Sequence, residues 1–138
     1  MILEIISSIK IKIINQMETT IWTMQGILAA IFTASGLYIL INTEKLKSKL
    51  SWLNAYSPTM VAFICIAKIA GAIGLVLPML TGILPVLTPL ASIGIALIML
   101  LALVYHVRKK EYKDMPATII FFIMAMFVAL YRVEVISI

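Results

Sequence analysis

The chain is poor in charge. Of its 138 residues only 12% are Asp, Glu, Lys or Arg, against 63% hydrophobic, and the mean hydropathy is +1.13. A water-soluble domain of this length carries roughly a quarter of its residues as charge, so a soluble globular fold is excluded and lipid must cover the remaining surface. Cysteine and histidine are also nearly absent. Cys65 is the single cysteine, which rules out an intrachain disulfide, and His106 is the single histidine, too little for a zinc site or a two-histidine haem site. The sequence also lacks a phosphate loop, paired carboxylates and a nucleophile–base pair, so no catalytic, metal or cofactor constellation is evident.

What the chain has instead is long apolar runs of membrane-crossing length. Four spans are expected, at about Thr20–Ile41, Pro58–Leu77, Pro89–His106 and Pro116–Arg132. The fold class is therefore all-α, an integral membrane four-helix bundle of one domain over residues 17–138. Pro78, Gly82, Pro85 and Pro89 are expected to interrupt the helix between the second and third spans. Each span carries small residues four apart: Gly26, Ala30 and Ala34; Ala67 with Gly71 and Ala70 with Gly74; Ser92 with Ala96; Ala125 with Ala129. Such faces let helices approach closely in lipid, within one bundle or in a homo-oligomer.

The net charge of +5 is not a nucleic-acid signal, because the basic residues gather at the ends of the apolar runs. Lys45, Lys47 and Lys49 lie in the first connection, and Arg108, Lys109, Lys110 and Lys113 in the third. Four spans put both connections on one side, which the positive-inside rule makes the cytoplasm of a cell-membrane protein, with both termini outside. Trp52, Tyr56, Tyr105 and Tyr112 fit that interface. Residues 1–16 read as an N-terminal extension or as an amphipathic segment on the outer leaflet, and Met17 is an alternative start. They make a poor signal peptide, because their charges follow the apolar stretch and no small-residue cleavage site appears.

Lys68 stands ten residues beyond Pro58, about 15 Å along a helix and so near the bilayer midplane. A lysine there costs about 2.5–3.5 kcal/mol on insertion scales. No acid is expected at its depth; Thr33 and Ser35 offer hydroxyls only. Four arrangements remain open: an uncharged amine, an amine snorkelling to the interface, a partner chain's acid, or an anionic or carbonyl-bearing ligand. His106 ends the third span beside its basic anchor, as an interfacial residue or as part of a head-group, quinone or proton-transfer site. Tyr38, Cys65 and Thr118 are weaker candidates, each explained as well by packing.

The pieces GAIGLVLP (Gly71–Pro78), TGILPVLTPLA (Thr81–Ala91) and HVRKKEYK (His106–Lys113), in this order and spacing, resemble the DoxX-like family of small four-helix membrane proteins. The likeness is close over residues 60–113 and looser in the first and last spans. It implies a membrane bundle tied to redox, quinone or stress-response biology, and it carries His106 and Arg108 over as matching positions. Family members usually have a glutamate just before the GAIG stretch, where this chain has Lys68, and often a lysine near the place of Ile39. The resemblance supports a non-catalytic accessory component with a membrane oxidoreductase as partner. A quinone-binding or quinone-reducing protein is the second reading and a small transporter the third.

Overall fold

A computed structural model describes the backbone of residues 1–137 and the side chains of residues 1–134; Ile138, the last residue of the expected domain, lies outside it. The described elements are α1 (Ile2–Ile41), α2 (Thr43–Leu46), α3 (Trp52–Ala55), α4 (Pro58–Thr81), α5 (Leu87–Arg108) and α6 (Met115–Ser137). Four of them are long and apolar enough to cross a membrane. Helix is the required answer for these sequences, because only a helix or a closed barrel satisfies every backbone polar group away from water.

The helix ends follow local chemistry. Ser57 caps α4, its hydroxyl accepting from the Met60 N–H at 3.2 Å, with Pro58 in the first turn. The expected interruption after the second span is narrower than the prolines suggest. α4 runs through Pro78 and stops at Gly82, whose φ of 74° is left-handed and whose N–H reaches the Pro78 carbonyl at 3.0 Å. Pro78 lies only three residues from the helix end, so its missing N–H removes one ladder bond near a terminus. Pro89 sits in the first turn of α5, where an N–H has no intrahelical partner anyway. The connection that remains is residues 82–86.

α1 packs along α4, α4 along α5 and α5 along α6; α6 meets α1 over a shorter stretch and closes the ring. Both basic connections therefore lie at one end, here the basic end, and the start of α1's bundle portion and the end of α6 lie at the other. The core is built from Leu28, Phe32, Ala72, Leu75, Ile95, Ala96, Ala125 and Val128. A second cluster of Ile39, Leu46, Leu53, Val61 and Cys65 anchors the first basic connection.

Small residues set the close approaches, with one correction. Ser92, Ala96, Ala125 and Ala129 are buried as expected. A Cβ on Gly74 would stand 2.8 Å from Ala91 Cβ, and one on Gly71 3.0 Å from Ile95. In the first span, however, Gly26, Ala30 and Ala34 all point away from the bundle. The inward stripe is Ile21, Gln25, Leu28, Phe32, Gly36 and Ile39, and its glycine meets the Cys65 carbonyl and Ile69. The large side chains fill the interior, and the spacing of small ones alone does not choose a face.

Residues 2–17 are neither a loop nor a separate element. They continue α1 without a break, and every side chain from Met1 to Met17 is exposed. α1 is 40 residues, about 60 Å at 1.5 Å per residue. That is about twice a bilayer's hydrocarbon thickness.

Candidate functional site

Lys68 and Arg132 are the cations that the spans draw at least partly into the bundle among the described residues, and the fold treats them differently. Arg132, on α6, is 1% exposed. Its Nη1 donates to both carboxylate oxygens of Glu18 at 2.9 and 3.0 Å, and its Nε donates to Gln25 Oε1 at 2.8 Å. Gln25 in turn donates to the Leu75 carbonyl, and the guanidinium lies 5.3 Å from the Trp22 ring and 5.5 Å from the Tyr131 ring. The cluster joins α1, α4 and α6 at the end where α6 finishes. Among the described residues, Arg132 Nη2, Thr88 Oγ1 on α5 and His106 Nδ1 are buried without a hydrogen-bond partner.

Lys68 stands on the interior stripe of α4, in line with Val61, Cys65, Ala72 and Leu75. It is half-buried. Its Nζ donates to Ser35 Oγ at 2.8 Å and lies 5.5 Å from the centre of the buried Phe32 ring, which packs edge-on to Phe121 at 5.9 Å. Both contacts are neutral. An ammonium has three donors, and among the described residues one of them has an acceptor.

His106 ends the interior-facing run of α5. Its side chain is 12% exposed, its Nδ1 lies 3.6 Å from Glu111 Oε2, and its ring is 5.8 Å from that of Tyr105. Glu111 Oε1 accepts from Ser51 Oγ at 2.5 Å, and Ser51 Oγ also pairs with the Tyr105 hydroxyl at 2.9 Å. This set ties the two basic connections together. His106 does not reach Lys68. Gly71 faces Ile95 and Gly74 faces Ala91, which places Lys68 level with about Ile98 and His106 about 12 Å further toward the basic end.

The remaining candidates stand apart. Arg108 is exposed at the end of α5. Tyr38 is 59% exposed on the outer face of α1. Cys65 is fully buried beside Gly36, one turn from Lys68, and Thr118 turns its hydroxyl back to the Asp114 carbonyl at 2.9 Å. Among the described residues no group of three or more His, Cys, Asp or Glu side chains could hold a metal ion.

The Glu18–Gln25–Arg132 cluster was not legible as a site in the sequence, where Arg132 marks only the end of the fourth span. Its signal is topological. Four antiparallel spans bring the beginning of the first, with Glu18, beside the end of the last, with Arg132.

Neither the curated proteins nor the solved structures include one that matches the chain. The family comparison does find a match, over residues 23–128. It takes in Lys68, His106 and Arg108 and stops short of both Glu18 and Arg132. With most of its length matched and four membrane-spanning helices in a bundle, the chain belongs to the DoxX-like family.

Proposed function

We propose that this protein is a non-catalytic accessory component of a membrane redox or stress-response system, and that it works by holding a lipophilic, carbonyl-bearing molecule such as a quinone inside its bundle. The observation that carries this reading is Lys68. Arg132 is neutralised by an acid of its own chain, whereas Lys68 faces the bundle interior at mid-span with a hydroxyl and an aromatic ring for company. Its free donors suit a carbonyl oxygen, and the neighbouring Phe32 and Phe121 rings suit a flat apolar body. Basic connections in the cytoplasm complete the proposal.

The test is gentle extraction from the native membrane followed by mass spectrometry of what travels with the protein. The reading expects a near-stoichiometric quinone-like compound, reduced about tenfold, or 1.4 kcal/mol, by Lys68→Met. Wild-type protein carrying no such compound would overturn it.

A second reading rests on a different observation. The Gly26–Ala30–Ala34 stripe faces outward, and in lipid a small-residue stripe is where another helix can come close. It favours a partner oxidoreductase or a second copy of the chain seated on α1. Gly26→Leu would then release a co-extracted protein without changing the fold. Unchanged recovery would count against it.

A further inference from the structure

At the basic end the two connections enclose an open groove of about 390 Å³, whose lining includes Lys49, Lys110, Lys113 and Trp52. The groove is separate from the Lys68 position and was not visible in the sequence, because its walls come from segments some sixty residues apart. We propose that it binds the head group of an anionic phospholipid.

Three observations support this. First, the charge is complementary. Glu111 and Asp114 also line the groove, so its three lysines leave a net positive charge there, and the Glu111 oxygens are directed at Ser51 and His106. Lys45, Lys47, Arg108 and Lys109 add positive potential around it. Second, the position is right. The groove lies where α4 begins and α5 ends, at head-group depth, and Trp52 forms part of its wall while packing against the cluster built on Leu53 and Val61.

Third, a lysine occupies a backbone position that suits glycine. α5 ends in a Schellman turn, with the Glu111 N–H on the His106 carbonyl at 2.9 Å and the Lys110 N–H on the Val107 carbonyl at 3.2 Å. The residue at its left-handed position is Lys110, with φ 57°. Glycine would fit that backbone better, and the lysine found there instead lines the groove.

The experiment uses the full chain in nanodiscs, with Trp22→Phe so that Trp52 is the sole tryptophan. Fluorescence quenching by bromine-labelled phosphatidylglycerol is compared with that by equally labelled phosphatidylcholine. The expected result is about threefold stronger quenching by the anionic lipid, lost when Lys49, Lys110 and Lys113 become glutamine and retained when Lys45, Lys47 and Lys109 do. Thermal unfolding checks that both triple variants fold. Equal quenching by the two lipids overturns the proposal. So does an equal loss in both triple variants, which would mean a diffuse surface potential without a site.

Discussion

Glu18 and Arg132, 114 positions apart, form a two-pronged ion pair, with Arg132 Nη1 at 2.9 and 3.0 Å from the two carboxylate oxygens. The pair fastens α6 to α1 along the shortest contact in the helix ring. Glu18→Gln leaves the guanidinium buried with a weaker partner and is expected to cost about 1–3 kcal/mol, discounted because Glu18 is partly exposed. The double variant Glu18→Gln, Arg132→Met is expected to be no worse than Glu18→Gln alone, since the buried charge is gone. Thermal unfolding in detergent compares both with Arg132→Met alone. Strict additivity of the two single changes would show that the contact carries no coupling.

Two glycines of α1 separate the inward from the outward face. A Cβ on Gly36 would lie 2.9 Å from the Cys65 carbonyl oxygen, so Gly36→Ala forces α1 and α4 apart and is expected to destabilise by about 1–3 kcal/mol. Gly26 has nothing within 4 Å of its Cβ position, and Gly26→Ala is expected to be neutral or stabilising by up to about 1 kcal/mol. Equal effects in an unfolding assay of the isolated protein would mean that the face assignment is wrong.

Lys68 sets function against stability. Lys68→Met removes an amine from mid-span, worth about 2.5–3.5 kcal/mol on insertion scales, and loses one hydrogen bond worth about 1 kcal/mol. The isolated variant is expected to unfold at a higher temperature than the wild type while losing its ligand. A variant that is less stable would make Lys68 a structural residue of the bundle.

Lys110→Gly relieves a left-handed backbone that disfavours a side chain by about 1–2 kcal/mol. The expected outcome is a raised unfolding temperature together with weaker quenching of Trp52 by anionic lipid. If stability falls, the lysine stem supports the turn.

The spans were legible because a bilayer demands some twenty apolar residues in a row, and windows of that kind stand out whatever surrounds them. Which face of each span turns inward was harder to read. Lipid and core are equally apolar, so α1 shows no polar side to mark its outer surface, and the Gly26–Ala30–Ala34 spacing marks the face turned away from the bundle. Lys68 was conspicuous because one cation in a charge-poor run is costly. Its Ser35 partner was among the hydroxyls expected at that depth; its place over Phe32 needed the helix register. The basic groove depends on two connections meeting, and the residues that join them, Ser51 and Glu111, are ordinary interfacial residues when read alone.

The most direct test of the central proposal is photoaffinity labelling of native membranes with a quinone bearing a photoreactive group near its carbonyls, followed by peptide mapping. Labelling on the interior faces around Phe32–Gly36 of α1 and Cys65–Ala72 of α4, displaced by unlabelled quinone and abolished by Lys68→Met, is the predicted result. Labelling confined to outward residues such as Phe63, Ile66 and Ile73, and indifferent to competitor, would contradict it.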